Sequence, residues 1–482
     1  MVREFGLAQF GDERLSERLQ TIAGAVVRQP EKSLPQQSGN AAARKATYRF
    51  LGSERATPEQ ILAPHVAATV ARCRERKRVL VAHDTTKFAF VGREQLGYLS
   101  GTMRGFIAHF ALAIAFEENR EPLGVLHVEP IVRDGEPKRG KRTKRGDPKN
   151  ESLRWNRTAT ASHLLLGEID AIHVYDREAH NYSVLAEMVG RVQQFLVRAS
   201  QDRSTGEGML SELIEGAKVQ AHRTVMLSKR GQRSSARAEN RHPARSGREA
   251  KLQISSRSVT LRANFKTPRG RPSTLRLKLV RVFKVDVPEG EPAVEWRLWT
   301  ALPIANREDL PQIVDAYRAL WVIEEYFKAL KTGCACEKRQ LESRQSRLNA
   351  RAIFAPVAWL LLRLRSLARA RGLLVDAWHR HGSGSHEGEV CAGHGAPPPS
   401  VPSLTQGREG GHRHHSPGIC RGCRSLPSRF FLSPLFALCS LLVRYWFARC
   451  HSYVSQRGVA GREPRHKRRP AGPQRPKKLL KM

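Results

Sequence analysis

The chain has 482 residues, which is enough for two or three domains with a large apolar core. Lysine and arginine number 83 against 45 aspartate and glutamate residues, so the formal net charge is +38. Such an excess indicates a nucleic-acid partner, because neutralising phosphates releases their condensed counterions, but charge alone does not separate an enzyme from a packaging protein.

Three features bear on the compartment. The eight cysteines do not form the framework of a small disulfide-bonded domain, which favours a reducing environment. The N-terminus lacks the apolar segment of a secretory signal. The apolar run Phe430–Val443 is too short, and too interrupted by serine and proline, for a membrane span. We therefore expect a cytoplasmic protein without a membrane partner.

Residues 1–70 are predicted to form a helical N-terminal domain. Leucine and arginine repeat at helical spacing around Arg14–Leu19, two prolines interrupt the pattern, and Ala41–Leu51 resumes it. The basic side chains of the second helix, including Arg44 and Arg49, predict that this domain binds DNA. The alternative interpretation is a basic helix face that only contacts solvent.

From residue 75 the sequence changes to strands. The predicted order is Val79–Phe90, Phe106–Phe116, Pro122–Val132, a helix through Leu166, the strand Ile172–Asp176 and a helix Tyr182–Gln194. This order is typical of an RNase H-like core, so we predict an α/β fold with a mixed five-stranded sheet and helices over residues 75–372. Alternating apolar and basic residues within 205–304 predict a β-rich insertion.

Two aspartates occupy unusual places in these strands. Asp84 lies inside the apolar run that starts at Val79, and Asp176 ends the later strand. An ionised carboxylate in a strand is costly without a partner, and a divalent metal is the best candidate. With Glu324, from a helix predicted over Asp309–Thr332, these acids could hold two Mg²⁺ ions for phosphoryl transfer.

The helix that carries Glu324 adds a second signal. Tyr317, Glu324 and Lys331 are seven residues apart, so an ideal helix keeps them on one face to within about 20° per step. Lys328 follows Glu324 by one turn. This combination suits a site that binds a metal and a phosphate together. The alternative is a surface Glu324–Lys328 pair worth a few tenths of a kcal/mol.

The chain resembles the DDE transposases of the insertion-sequence-four group, of the transposon-five type. The resemblance runs from about Phe5 to Arg371, and its motifs are Phe10-Gly-Asp-Glu-Arg-Leu, Ala46-Thr-Tyr-Arg-Phe-Leu, His83-Asp-Thr-Thr, Asp176-Arg-Glu-Ala and the segment Tyr317 to Lys331. It implies cut-and-paste transposition of an insertion sequence by end nicking, hairpin formation and strand transfer. It further implies two Mg²⁺ ions with Mn²⁺ as a substitute, double-stranded transposon ends and target DNA, a homodimer in the synaptic complex, and a place at the bacterial nucleoid.

The resemblance also implies roles for individual residues. Asp84, Asp176 and Glu324 correspond to the catalytic triad, and Tyr317 and Lys331 belong to the Tyr-Arg-Glu-Lys signature. Two more DNA-binding positions match by spacing. Arg198 resembles a backbone-phosphate contact, and Trp296 lies where the family stacks an aromatic ring on a flipped base, with Trp299 as the competing candidate and a strand-core aromatic as the alternative.

One position departs from the signature. The family has an arginine three residues after Tyr317, where this chain has Leu320, which supplies neither charge nor a forked hydrogen-bond donor. Two further interpretations therefore stay open. One is a degenerate, non-catalytic DNA-binding remnant, and the other is an RNase H-like nuclease that hydrolyses DNA without strand transfer.

Residues 375–482 differ from the rest of the chain. They are rich in histidine and cysteine, poor in acids, and broken by Pro397-Pro-Pro and other turn formers, so no amphipathic helix can be traced. We interpret them as an irregular basic tail. Our hypothesis is that a frameshift replaced the original ending, and the alternative is a disordered tail that binds DNA non-specifically.

Overall fold

The structure is a computed structural model. It describes residues 2–90, 96–100, 103–117, 119–133, 150–200, 202–227, 246–263, 267–268, 270–285 and 295–370. The predicted tail at 375–482 lies outside these residues. Among the described helices, none combines the length and apolar composition needed to cross a bilayer.

Five helices open the chain, and their ends follow from local sequence. They are α1 (Val2–Phe5), α2 (Glu13–Arg28), α3 (Leu34–Gln37), α4 (Ala41–Leu51) and α5 (Pro58–Arg74). Asp12 caps α2 by accepting from the Arg14 amide at 3.1 Å, and Asn40 caps α4 by accepting from the Ala43 amide at 2.8 Å. Helix α2 buries Leu19, Ile22, Ala23 and Val26, the spacing of one helix face.

The strands within the described residues form one ten-stranded mixed sheet, which confirms the α/β class. They are β1 (Val79–Phe90), β2 (Tyr98–Ser100), β3 (Met103–Ala115), β4 (Pro122–Ile131), β5 (Ala171–Tyr175), β6 (Gln194–Arg198), β7 (Val219–Leu227), β8 (Arg248–Arg262), β9 (Thr274–Lys284) and β10 (Glu295–Thr300). The order is β2-β3-β1-β5-β6-β10-β9-β8-β7, and β4 also pairs with β3. Strand β1 runs antiparallel to β3 and parallel to β5, which runs parallel to β6.

Five described strands, in the order β4-β3-β1-β5-β6, lie in the predicted core region together with the short β2, and β7 to β10 come from the predicted β-rich insertion. Strand β10 pairs antiparallel with β6, and β9, β8 and β7 continue outward, so backbone hydrogen bonds join the inserted strands to the same sheet. The predicted helix to Gln194 also ends early, since α7 (Tyr182–Gly190) stops at a turn and Gln194 begins β6. The insertion further contains the short helix α8 (Leu210–Glu215).

Helices cover both faces of the sheet near β1. Helix α6 (Arg154–Leu166) packs Trp155 against Tyr175 on one face. The other face is covered by α9 (Asp309–Arg318), α10 (Trp321–Lys328) and α11 (Arg344–Ala370). Alternate residues of β1 therefore enter different cores. Leu80 and Phe88 pack with the C-terminal helices, whereas Val81 packs with α5.

The single helix predicted over Asp309–Thr332 is interrupted twice. A turn at Ala319 and Leu320 separates α9 from α10, and the Leu320 amide donates to the Tyr317 carbonyl three residues back. After α10 the chain forms a π-helical turn over Ala329–Gly333. Because this turn is wider than an α-helix, the regular seven-residue spacing does not place Lys331 directly below Glu324.

Candidate active site

Asp84, inside β1, and Asp176, directly after β5, are neighbours at the point where the parallel pairing of these two strands ends. His83 of β1 pairs with Tyr175 of β5, so the next residue of each strand is an aspartate. Adjacent strands lie about 4.8 Å apart, which brings the two side chains to one sheet edge. An Asp84 carboxylate oxygen accepts from the Thr85 amide at 2.6 Å, and an Asp176 oxygen accepts from the Glu178 amide at 2.8 Å. Each carboxylate is therefore fixed by its own backbone.

Glu324 comes to these aspartates from the helix above them. Phe110 of β3 pairs with Asp84, and antiparallel partners point to the same face of a sheet. Tyr326 and Phe327 of α10 pack against the Phe110 ring, with centroids at 5.6 and 5.4 Å. Helix α10 thus lies over the Asp84 face, and Glu324 is exposed in its first turn.

The adjacent acid, Glu325, has a different environment from Glu324. It forms an ion pair with Arg365 of α11 at 3.3 Å. Successive residues of an α-helix are about 100° apart, so Glu325 points away from the face that carries Glu324. The two neighbouring glutamates therefore provide a matched pair, one facing the aspartates and one held in a structural contact.

Asp84 is influenced by the charges of the neighbouring acids. Burial, together with the charges of Glu324, Asp176 and Glu178, raises the pKa of Asp84 to about 8 against the lowering effect of the Thr85 amide. Burial and Glu178 likewise raise the pKa of Asp176. Within the described residues, no group of three or more acidic, histidine or cysteine side chains is arranged so that it could hold a metal ion. The acids thus form a cluster of like charge that a cation would relieve.

Tyr317, Arg198 and Trp296 form a second group beside Asp176. Burial raises the pKa of Tyr317 to about 12, while Arg198, which hydrogen-bonds the phenol oxygen, opposes this rise and the charge of Asp176 adds to it. The Trp296 ring lies 5.4 Å from the Tyr317 ring. The structure thus brings together three residues from β6, β10 and α9 that were identified separately in the sequence.

The two tryptophans of β10 differ in access. Trp299 is fully buried, and its indole nitrogen donates to the His180 ring at 3.1 Å. Trp296, three residues earlier in the strand, is only half-buried and packs on Tyr317. Of the two candidates for a stacking platform, Trp296 is therefore the one within reach of a ligand.

The two lysines of the predicted face are placed differently. Lys331 donates from Nζ to the Lys87 carbonyl at 2.6 Å and lies 5.5 Å from the Phe88 ring. It is therefore held along β1, beyond Asp84, and not on a continuous helical line with Glu324. Lys328 is exposed on α10, one turn after Glu324.

Sequence reasoning missed Arg154 and the role of Glu178. Arg154 donates from Nε to the Thr85 hydroxyl at 2.9 Å and from Nη2 to a Glu178 carboxylate oxygen at 3.0 Å. It thus connects the residue after Asp84 to the turn that Asp176 caps. Glu178 lies in the quoted Asp176 motif, but no spacing in the sequence indicates an arginine 69 residues from Thr85.

His83 lies on the opposite side of β1 from Asp84, as strand alternation predicts. It is fully buried, contacts the His173 ring nitrogen at 2.9 Å and stacks on Tyr175 at 4.5 Å. Burial lowers the pKa of His83 well below its usual value, so it stays neutral. Its position is that of a packing residue beneath the acids.

Arg44 and Arg49 are exposed on α4, in the N-terminal helices. Residues 1–56, which contain both, match the protein family described as transposase DNA-binding. This match confirms the expected transposase likeness for the N-terminal segment. Among solved structures, a piggyBac transposase synaptic complex with hairpin DNA is similar over 75% of this chain and 67% of that chain, with 10% sequence identity and a TM-score of 0.34.

Proposed function

We propose that this protein is a DNA transposase that performs cut-and-paste transposition of its own insertion sequence. The observation that carries the proposal is the adjacency of Asp84, within β1, and Asp176, directly after the parallel strand β5, beneath the helix that bears Glu324. The match of residues 1–56 to a transposase DNA-binding family supports DNA as the substrate. The net charge of +38 agrees with a polyanionic partner.

The topology of the sheet supports an RNase H-like core. Strands β4, β3 and β1 form an antiparallel meander, and β5 and β6 follow on the other side, parallel to β1. This is the order β4-β3-β1-β5-β6, with helix α6 between the meander and β5. Strands β7 to β10 extend the sheet beyond β6. In the sequence they precede the helix that carries Glu324, and in the sheet they do not separate the three acids.

The acidic cluster fits Mg²⁺. All three donors are carboxylates, and Mg²⁺ prefers oxygen ligands, of which one or two carboxylates suffice beside water and substrate phosphate. The raised pKa of Asp84 indicates acids that repel one another, which a divalent cation offsets. Two bound Mg²⁺ ions, or Mn²⁺ in their place, would supply an activated water and stabilise charge at the phosphorus.

The other residues of the site bind DNA in the proposed mechanism. Tyr317, Arg198 and Lys331 position backbone phosphates on either side of the acids, and Trp296 offers a half-buried ring on which an unstacked base can lie. Lys328 adds an exposed positive charge one turn from Glu324. Arg44 and Arg49 dock the end of the element on α4.

In the reaction that we propose, water cleaves one strand at the element's end. The freed 3′ hydroxyl attacks first the opposite strand, to form a hairpin, and later the target DNA. Two ends must react together, so the working form is a homodimer in a synaptic complex. The setting is the bacterial cytoplasm, at the nucleoid.

The direct test uses DNA that flanks the gene, since an insertion sequence ends on either side of it. We expect cleavage in Mg²⁺ or Mn²⁺, loss of cleavage in Asp176→Ala, and joining of pre-cut ends to target DNA. Cleavage without joining would identify a nuclease. Absence of both reactions in the wild-type chain would overturn the proposed enzyme.

A specific observation favours the second candidate, a DNA-binding remnant. Leu320 lies half-buried at the turn between α9 and α10 and packs against the core. Arg318, the nearest guanidinium in sequence, is directed to Asp315 at 3.4 Å. Leu320→Arg separates the candidates, because a rise in cleavage from an inactive wild type identifies a transposase inactivated at this position.

A further inference from the structure

A row of polar side chains crosses three strands of the sheet beneath α6. Thr85 of β1 pairs with His109 of β3, and His109 pairs with Glu129 of β4. Antiparallel partners point to the same face of a sheet, so these three side chains lie side by side. Arg154 of α6 donates from Nε to the Thr85 hydroxyl at 2.9 Å. Further along the same helix, Arg157 donates from Nε to Glu129 at 2.9 Å, so an arginine holds each end of the row.

His109, in the middle of the row, is fully buried. Its Nδ1 lies 2.9 Å from the Thr85 hydroxyl oxygen, whereas its Nε2 has no hydrogen-bond partner among the described residues. The Trp155 ring packs on it with the ring centroids 4.3 Å apart and the planes at 78°. Burial, followed by the charge of Arg154, lowers the pKa of His109 well below its usual value, so the imidazole is neutral.

The partners of the Thr85 hydroxyl determine the direction of its hydrogen bond to His109. A guanidinium only donates, so the hydroxyl oxygen accepts from Arg154. The hydroxyl has one proton of its own, and Nδ1 of His109 is the acceptor that the described residues place within reach of it. A neutral imidazole that accepts at Nδ1 carries its proton on Nε2. An indole ring perpendicular to the imidazole can accept such a proton weakly on its face.

The same hydroxyl and guanidinium are connected to both aspartates of the proposed site. Arg154 donates from Nη2 to the Glu178 carboxylate at 3.0 Å, and the Glu178 amide donates to Asp176 at 2.8 Å. At the other end, the Thr85 amide donates to Asp84 at 2.6 Å. A change in the hydrogen bonding of Thr85 therefore reaches the backbone that fixes each carboxylate.

We propose that His109 is a positioning residue of this site. By accepting the Thr85 proton, it keeps the hydroxyl oxygen directed at Arg154, and Arg154 holds the turn that Asp176 caps. The inference rests on the proposed function, because it assumes that the aspartates bind divalent metal ions. It gives a role in metal affinity to a buried histidine on the face of the sheet opposite to Asp84.

Two substitutions separate the hydrogen-bond acceptor from the packing of the ring. His109→Leu removes the acceptor, and His109→Asn keeps a side-chain oxygen close to the position of Nδ1. His173→Leu is the matched control. His173 is equally buried, hydrogen-bonds through Nδ1 to His83, and has an Nε2 without a partner among the described residues.

The first test measures how DNA cleavage by the full chain depends on Mg²⁺. We expect His109→Leu to raise the Mg²⁺ concentration for half-maximal rate about tenfold, since residues that orient metal ligands through others act on metal affinity. His109→Asn should recover most of the wild-type requirement, and His173→Leu should keep it. A purely structural role would instead lower the melting temperature of both leucine variants and leave the Mg²⁺ requirement unchanged.

The second test needs no cleavage. Binding of Mn²⁺ to the full chain, followed by electron paramagnetic resonance, should weaken about tenfold in His109→Leu but not in His173→Leu. Nitrogen NMR of histidine-labelled protein should show a protonated Nε2 and an unprotonated Nδ1 for His109, whose signals are assigned by their loss in His109→Asn. If Mn²⁺ binding shows this difference but the wild type cleaves no DNA, the proposed enzyme fails and the positioning role stands.

Three outcomes would overturn the inference. The first is a folded His109→Leu with the wild-type Mg²⁺ requirement and Mn²⁺ affinity. The second is an equal change in His173→Leu, and the third is a His109 ring that is protonated at Nδ1. If His109→Leu does not fold, Thr85→Val takes its place, because it removes the hydroxyl and should show the same change. Wild-type metal dependence in that variant also contradicts the proposal.

Discussion

Two buried carboxyl groups in this chain have pKa values shifted in opposite directions. Burial alone would raise the pKa of Glu4 in α1, but hydrogen bonds from His65 at 2.6 Å and Arg72 at 2.8 Å outweigh it and lower the pKa to about 2. At Asp84, burial raises the pKa to about 8 and the neighbouring acids add to the rise. The Glu4 carboxylate is surrounded by its own donors, whereas Asp84 faces other acids and, among the described residues, accepts only from the Thr85 amide.

The largest effect is expected from removing a cluster carboxylate. Asp84→Asn and Glu324→Gln should each lower the rate of DNA cleavage in Mg²⁺ by at least about 100-fold, because each removes a negatively charged ligand of the proposed metal ions that stabilise the reacting phosphate. Cleavage of labelled DNA from the gene's flanks measures the rate. Glu325→Gln is the matched control, since that residue pairs with Arg365. Equal loss in the control would show that the cluster has no special role.

Removing the paired carboxylate should instead affect stability. Glu4→Gln is expected to lower the free energy of unfolding by about 2 kcal/mol, because Arg72 and His65 lose a charged acceptor. Urea denaturation measures this difference, with the exposed Glu17→Gln as control. The loss should shrink as the pH falls from about 4.5 towards 2, where wild-type Glu4 itself becomes protonated. A loss independent of pH would contradict the assigned pairing.

Arg154 is a cation of the chain that is held close to the acids. We expect Arg154→Gln to reduce cleavage about tenfold and to raise the Mg²⁺ concentration needed for half-maximal rate, since outer residues of this kind orient metal ligands. Arg154→Lys should restore part of the Mg²⁺ response. A lower rate with an unchanged Mg²⁺ requirement would show that Arg154 only supports folding.

The smallest expected effect is that of Asp84→Asn on the melting temperature in the absence of metal. Between about pH 4 and pH 8 the folded state keeps the Asp84 proton and the unfolded state loses it, so wild-type stability falls as the pH rises through this window. Asp84→Asn does not undergo this loss. In EDTA the variant should therefore melt a few degrees above the wild type at pH 8, with a smaller difference at pH 5. A constant difference would rule out the raised pKa.

Sequence patterns were sufficient for some elements and not for others. Apolar β-branched runs predicted β1 as Val79–Phe90, and the Ala41–Leu51 helix was found at its observed ends. Strand β6 was missed because its five residues directly follow an apolar helix. The joining of the inserted strands to the core sheet was not predicted, because no one-dimensional pattern shows that β10 pairs with β6.

The site was accessible to sequence reasoning only in part. An acid in a strand interior and another at a strand end indicated Asp84 and Asp176, but their adjacency depends on the register of β1 against β5. The helix face was misjudged, because the π-helical turn moves Lys331 onto β1. The contact of Arg154 with Thr85 depends on how α6 packs, which its own sequence does not specify.

The central claim is that divalent cations are held between Asp84, Asp176 and Glu324. Fe²⁺ occupies sites built from carboxylates, and with ascorbate and peroxide it cleaves the nearby backbone. We predict cuts in the wild-type protein near all three residues, suppressed by excess Mg²⁺ and lost in Asp84→Asn but not in Glu325→Gln. Cuts at only one of the three segments, or cuts that persist in Asp84→Asn, would contradict a shared metal site.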